Sequence, residues 1–200
     1  MKNLKKALIA GTCSVLLVAG SVAGTMAWLQ DTDEVVNTFT VGNVQIELDE
    51  KDVDNSTAGE NDRDKANKYH LMPGITHEKD PIVWLEPNSE ASYLFVEVTN
   101  GLADIESTET GYVNIATQIT NNGWTALTGV TNVYYKSVPA NTSATERVSY
   151  PVFTNFTIKD TVTGTELDDY KNAEIKVVAY AIQSAEIGDE TTAWHTVSGK

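Results

Sequence analysis

The sequence predicts an all-β fold, an antiparallel, jelly-roll-like β-sandwich with long loops in a single domain. Three observations predict it. Short apolar stretches recur at intervals of roughly ten residues, several with alternating apolar and polar side chains. Clusters of Gly, Asn and Pro separate them, residues whose backbone preferences make turns. The repeated crossover helices that a parallel α/β sheet requires are not visible in the pattern. Hydrophobic residues make up 41% of the 200, enough to pack a core, so the polar segments read as loops and not as general disorder.

The first element is a leader. Lys2, Lys5 and Lys6 precede the weakly apolar stretch from Ala7 to Val22, the pattern of a secretory signal peptide. Small residues permit cleavage after Ala23, with Ser21 at −3, or after Ala27, with Thr25 at −3. The stretch is broken by glycine and short for a membrane span, so stable insertion is not expected once it is cut. Cys13, the one cysteine, lies inside it, so the exported chain is expected to have neither disulfides nor cysteine-based zinc sites.

Cleavage between Ala27 and Trp28 would expose two large apolar residues, Trp28 and Leu29, at a free end. Polar Asp31 to Glu34 follow, then Val35 and Val36. Either these side chains fold back into their own domain, or residues 28–36 act as a donor strand for a neighbouring subunit. Repeated head to tail, such a contact does not close and builds a fibre.

Within the domain, Val44 to Leu48 alternates strictly and reads as a strand. The nearly all-polar segment 49–68 reads as an acidic loop. Tyr69 to Met72 is expected to be a short strand stopped by the Pro73-Gly74 turn. Ile82 to Leu85 and Ala91 to Thr99 are further strands, the second with Leu94, Val96 and Val98 inward and Tyr93, Phe95 and Glu97 on the other face. The segment from Asn100 to Gly111 reads as loop. Tyr112 to Thr120 and Trp124 to Leu127 are expected to form a hairpin across Asn121-Asn122-Gly123. Val130 to Val138, Val148 to Lys159 and Glu174 to Gln183 complete the strands. The stretch from Ile187 to Val197 fits a short helix or a strand.

The charge excludes whole classes of partner. With 14 basic and 28 acidic side chains, a net −14, the chain repels phosphate backbones, so no nucleic acid is expected as a partner. Removing a leader with three lysines and no acids leaves 11 basic side chains against 28 acidic, a net −17. Self-association at that charge should be helped by salt, lower pH or divalent cations.

Few residues suggest chemistry. Asp49, Asp52, Asp54, Asp62 and Asp64 supply hard oxygen ligands that suit calcium, yet Thr57 stands where an EF-hand loop needs glycine. The segment reads as a solvated acidic loop or an irregular calcium site, and no other cofactor is expected. His70, His77 and His195 could converge on a metal, but His77-Glu78 lacks the second histidine of the zincin motif, and Pro81 would break that helix. No nucleophile elbow or phosphate-binding glycine loop is present, so no catalytic residue is assigned.

The chain resembles the TasA/camelysin family of exported Gram-positive proteins. The resemblance rests first on Gly24-Thr25-Met26-Ala27-Trp28-Leu29-Gln30-Asp31 and on Asn37-Thr38-Phe39-Thr40-Val41-Gly42-Asn43-Val44. It continues through Leu71-Met72-Pro73-Gly74 with Asp80-Pro81. Tyr134-Tyr135-Lys136, Pro151-Val152-Phe153 and the late segment from Ile175 to Gln183, with Ala193-Trp194, are similar to the clostridial-type members. The resemblance implies a leader removed after Ala27 by a SipW-type signal peptidase and a secreted jelly-roll subunit. It implies a homopolymer, an extracellular biofilm-matrix fibre built by donating the strand Trp28 to Val36, formed either by the chain alone or with an accessory matrix protein as a further partner. Because the family carries a metallopeptidase label, a camelysin-like secreted metallopeptidase is one alternative. A monomeric cell-surface or spore-coat binding module of the same fold is the other.

Overall fold

Alternation of side chains converts into strands at most of the expected positions among the described residues. The computed structural model describes residues 43–55 and 62–200. The leader, the Ala27–Trp28 cleavage site and the donor segment with Trp28, Leu29, Val35 and Val36 lie outside the described residues. The first half holds β1 (Ile46–Lys51), β2 (Arg63–Asp64), β3 (Thr76–Glu78), β4 (Ile82–Leu85) and β5 (Ser92–Asn100). Helix α1 (Ile115–Asn121), β6 (Thr125–Ala126), β7 (Val133–Val138), β8 (Val148–Pro151) and β9 (Asn155–Thr157) follow. A one-turn helix α2 (Gly164–Leu167) runs into a 3-10 turn, Asp168–Tyr170, before β10 (Ile175–Gln183) and helix α3 (Glu190–Ser198).

The strands form two four-stranded antiparallel sheets, in the orders β2–β1–β4–β8 and β10–β5–β7–β6, and a ribbon of β3 with β9. The antiparallel all-β class is the one expected; these pairings do not by themselves make a jelly roll. Both sheets contribute to one core. Val83 and Leu85 of β4 meet Leu94, Val96 and Val98 of β5, with Ile46 and Leu48 of β1 packed alongside. In register, Ile46 faces Leu85 and Leu48 faces Val83 across the β1–β4 pair. The longest ladder joins all nine residues of β5 to β10, from Ser92 opposite Gln183 to Asn100 opposite Ile175.

Leu94, Val96 and Val98 point inward as expected, but the opposite face of β5 is also covered. Phe95 is fully buried beneath α3, where the Trp194 ring lies 5.5 Å away. Asp189 caps this helix by accepting from the Thr192 N–H at 2.7 Å, which resolves the ambiguous tail as helix.

Three expectations need correction. Tyr112 to Thr120 is not a strand: Asn114 accepts from the Thr117 N–H and starts α1, whose Ile115, Gln118 and Ile119 are buried at helical spacing. Asn122 and Gly123, the latter at φ +79°, end that helix and do not turn a hairpin. Tyr69 to Met72 forms no strand, although the turn at Pro73-Gly74 is present, with Gly74 at φ +72°. The 49–68 segment is not all loop: β1 runs on to Lys51, and β2 returns to pair with it.

Candidate functional site

Two strand edges border a broad groove. β10 pairs with β5 along one side only, and among the described residues no strand is hydrogen-bonded along its other side. β1 is paired by β4 over Ile46 to Asp49, while β2 covers its opposite edge only at Glu50 and Lys51. The groove beside these edges has a volume of about 1210 Å³ and is also lined by residues 64–71 and by Leu167, Asp168 and residues 170–174. Alternation along β10 makes its floor apolar: Ile175, Val177 and Ala179 face the shared core, whereas Tyr180 and Ile182 face α3. Small residues at Ala173 and Ala179 leave space that larger side chains would fill.

The end of β1 is ionic. Arg63 donates from Nε to Asp49 Oδ1 at 2.5 Å and from Nη1 to Asp80 Oδ2 at 3.1 Å. Its Nη2 also donates to the carbonyls of Asp49 and Asp80, at 3.2 and 3.1 Å. Trp84 Nε1 adds a second donor to Asp49, at 2.8 Å. Beside this cluster, Lys79 Nζ meets Glu50 Oε2 at 2.5 Å, and both side chains are more than nine-tenths buried. Such burial is tolerable only with complete pairing, which is why the run Asp62-Arg63-Asp64 folds back onto β1 and does not stay in solvent.

Behind the charged end stands an aromatic wall. His77 stacks on Phe156 with ring centroids 5.0 Å apart, and Tyr69 meets Phe156 edge-on at 5.4 Å. Burial lowers the His77 pKa from its ordinary value, and nearby His70 adds to the effect. Burial raises the Tyr69 phenol, reinforced by the Glu50 and Asp80 charges.

The acidic candidates are distributed and not gathered. Asp49 is bound to Arg63 and Trp84. Asp52 accepts from the Asp54 N–H at 3.2 Å, Asp54 from the Lys68 N–H at 2.7 Å and Asp64 from the Lys65 N–H at 2.5 Å. Asp62, at φ +52°, contributes its carbonyl to the Asp52 N–H. Among the described residues, no group of three or more His, Cys, Asp or Glu is placed to hold a metal ion. His195 lies on α3, its Nδ1 2.7 Å from the Lys200 carbonyl, while His70 and His77 lie with the aromatic wall. Among the described residues, no helix is long and apolar enough to cross a membrane.

Sequence reasoning missed Arg63, Lys79 and Asn67. A lone arginine inside an acidic run was the available signal, since a cation between carboxylates is a natural pairing centre. The groove itself had no local signature, because it depends on which edges the topology leaves open. No family model, no curated protein and no solved structure matches the chain.

Proposed function

We propose that the protein is a secreted structural subunit of extracellular biofilm-matrix fibres that polymerises head to tail. The mature N-terminal strand, residues 28–36, of one copy adds to the groove edge of the next. The observation that carries this reading is the apolar-floored groove bordered by the open edges of β1 and β10. An uncovered strand edge is a template for another chain, and its backbone groups gain most from a strand laid along it. The donor segment has nine residues, as has β10, and its Trp28, Leu29, Val35 and Val36 are the apolar groups such a floor accepts. The resemblance to the TasA/camelysin family supports the same reading, with export and removal of the leader between Ala27 and Trp28 by a SipW-type peptidase.

The test is negative-stain electron microscopy of purified 28–200 beside a version beginning at Asn37. Fibres from the longer chain alone are the expected result. Fibres from both would remove the donor strand from the account, and monomers from both would leave polymerisation to an accessory protein or favour a binding module.

A further inference from the structure

Glu50, Lys79 and Asn67 meet at the groove in an arrangement suited to covalent chemistry. The Glu50 carboxylate sits between two nitrogens: Oε2 takes Lys79 Nζ at 2.5 Å, and Oε1 accepts from Asn67 Nδ2 at 2.9 Å. Asn67 is locked in place, because Nδ2 also donates to the Lys51 carbonyl at 2.9 Å and Oδ1 accepts from the Val53 N–H at 2.8 Å. Glu50 and Lys79 are 5% and 8% exposed, and the Tyr69 ring centroid lies 5.7 Å from Lys79 Nζ. The Glu50–Lys79 pair itself has little contact with water, so a proton on Lys79 has the Glu50 carboxylate as its immediate acceptor.

We propose that Lys79 and Asn67 become joined by an intramolecular isopeptide bond, with Glu50 carrying the protons. The Lys79 ammonium passes a proton to Glu50 Oε2, leaving a neutral amine. The amine lone pair attacks Asn67 Cγ and forms the new C–N bond, while negative charge develops on Oδ1. The Val53 N–H already donates to that oxygen, the role of an oxyanion-stabilising donor. Collapse of the intermediate breaks Cγ–Nδ2. The departing nitrogen takes up the protons lost from Nζ through Oε1, the oxygen it already touches, and leaves as ammonium with Glu50 again a carboxylate. Amine plus primary amide become secondary amide plus ammonia, and no oxidant, reductant or co-reactant is needed. Because both nitrogens are bound to one carboxylate, amine and amide stay neighbours of the same proton carrier, which raises their effective concentration over that of separate molecules in solution.

The bond would staple the segment after β2 to the link between β3 and β4, giving a domain without cysteine among its described residues a cross-link resistant to reduction. The inference is independent of fibre assembly. Its test is the intact mass of the purified full chain under denaturing conditions, after incubation in the folded state. The expected mass is lower than the sequence mass by one ammonia, with tandem fragmentation linking the Asn67 and Lys79 peptides. Glu50→Gln and Lys79→Arg should restore the full mass. An unmodified wild-type chain overturns the proposal, whether or not the variants fold. A deficit that survives Lys79→Arg also overturns it, since cyclisation of Asn67 on its own backbone loses the same group. A linked peptide that persists in Glu50→Gln overturns the role of Glu50.

Discussion

The two sides of the β10–β5–β7–β6 sheet solve the same problem in opposite ways. On the α3 side, neutral rings close the surface: Trp194 packs on Phe95 at 5.5 Å and on Tyr180 at 5.2 Å, and charges appear only at the rim. There Lys200 bonds both oxygens of Glu97 at 2.7 Å. On the β1 side the cover is partial: Ile115 and Ile119 of α1 are buried in the shared core, while the outer edges of β1 and β10 stay open. Arg63 and Lys79 neutralise carboxylates that would otherwise be buried alone, and an open groove remains beside them. The first side is complete within one chain. The second keeps unpaired strand edges, and in a chain this acidic its cations are concentrated where the strands end. A closed face stabilises the subunit, whereas an open one leaves backbone groups for another strand.

The largest expected effect strikes the closed side. Trp194→Ala should cost about 3–5 kcal/mol in denaturant unfolding, because it removes the ring that buries Phe95. A cost below about 1 kcal/mol would mean that α3 is an accessory and not part of the core.

Next comes the ionic end. Arg63→Ala should cost about 3 kcal/mol by leaving Asp49 and Asp80 without their cation, and adding Asp49→Asn should recover part of that loss. Additive losses in the double variant would show that Arg63 acts through packing alone.

Glu106 sharpens the comparison, being a carboxylate that is buried with hydrogen-bond donors and no cation among the described residues. Burial raises its pKa above the ordinary value, against the pull of the Ile115 N–H and the Asn100 amide. The folded state then binds the proton more tightly than the unfolded chain. This group's contribution to stability therefore falls as pH rises from the ordinary carboxyl value to the raised one, and is level above it. Glu106→Gln should remove that slope, read as the difference between the two stability–pH curves. Curves that stay parallel would refute the assignment.

The rim pair should matter least. The hydrogen bond from Lys200 lowers the Glu97 pKa, so its contribution is present above the ordinary carboxyl value and lost as pH falls through the lowered one. Lys200→Ala should shift the acid limb of the melting curve and leave the neutral plateau nearly unchanged. A large loss at neutral pH would make this exposed pair structural, contrary to what solvent screening allows.

Legibility followed the same division. β4, β5 and β10 were readable because their apolar residues face a buried layer with a period of two. Helix α1 was misread because Ile115, Thr117, Ile119 and Thr120 are β-branched; burial at i, i+3 and i+4 and the Asn114 cap outweigh that propensity. The acidic segment read as solvated because polarity is identical for an exposed carboxylate and one paired with Arg63. Tyr69 alternates like a strand residue yet belongs to an aromatic wall made with His77 and with Phe156, a partner distant in sequence. The groove depends on which edges stay unpaired, a property of the whole topology.

The central claim is that the open side receives a strand. Amide hydrogen exchange on the 37–200 chain, with and without a peptide of residues 28–36, tests it most directly. Protection should appear along the outer edges of β10 and β1, over residues 175–179 and 46–48, with α3 unchanged. Protection confined to other elements, or none at saturating peptide, would contradict the account.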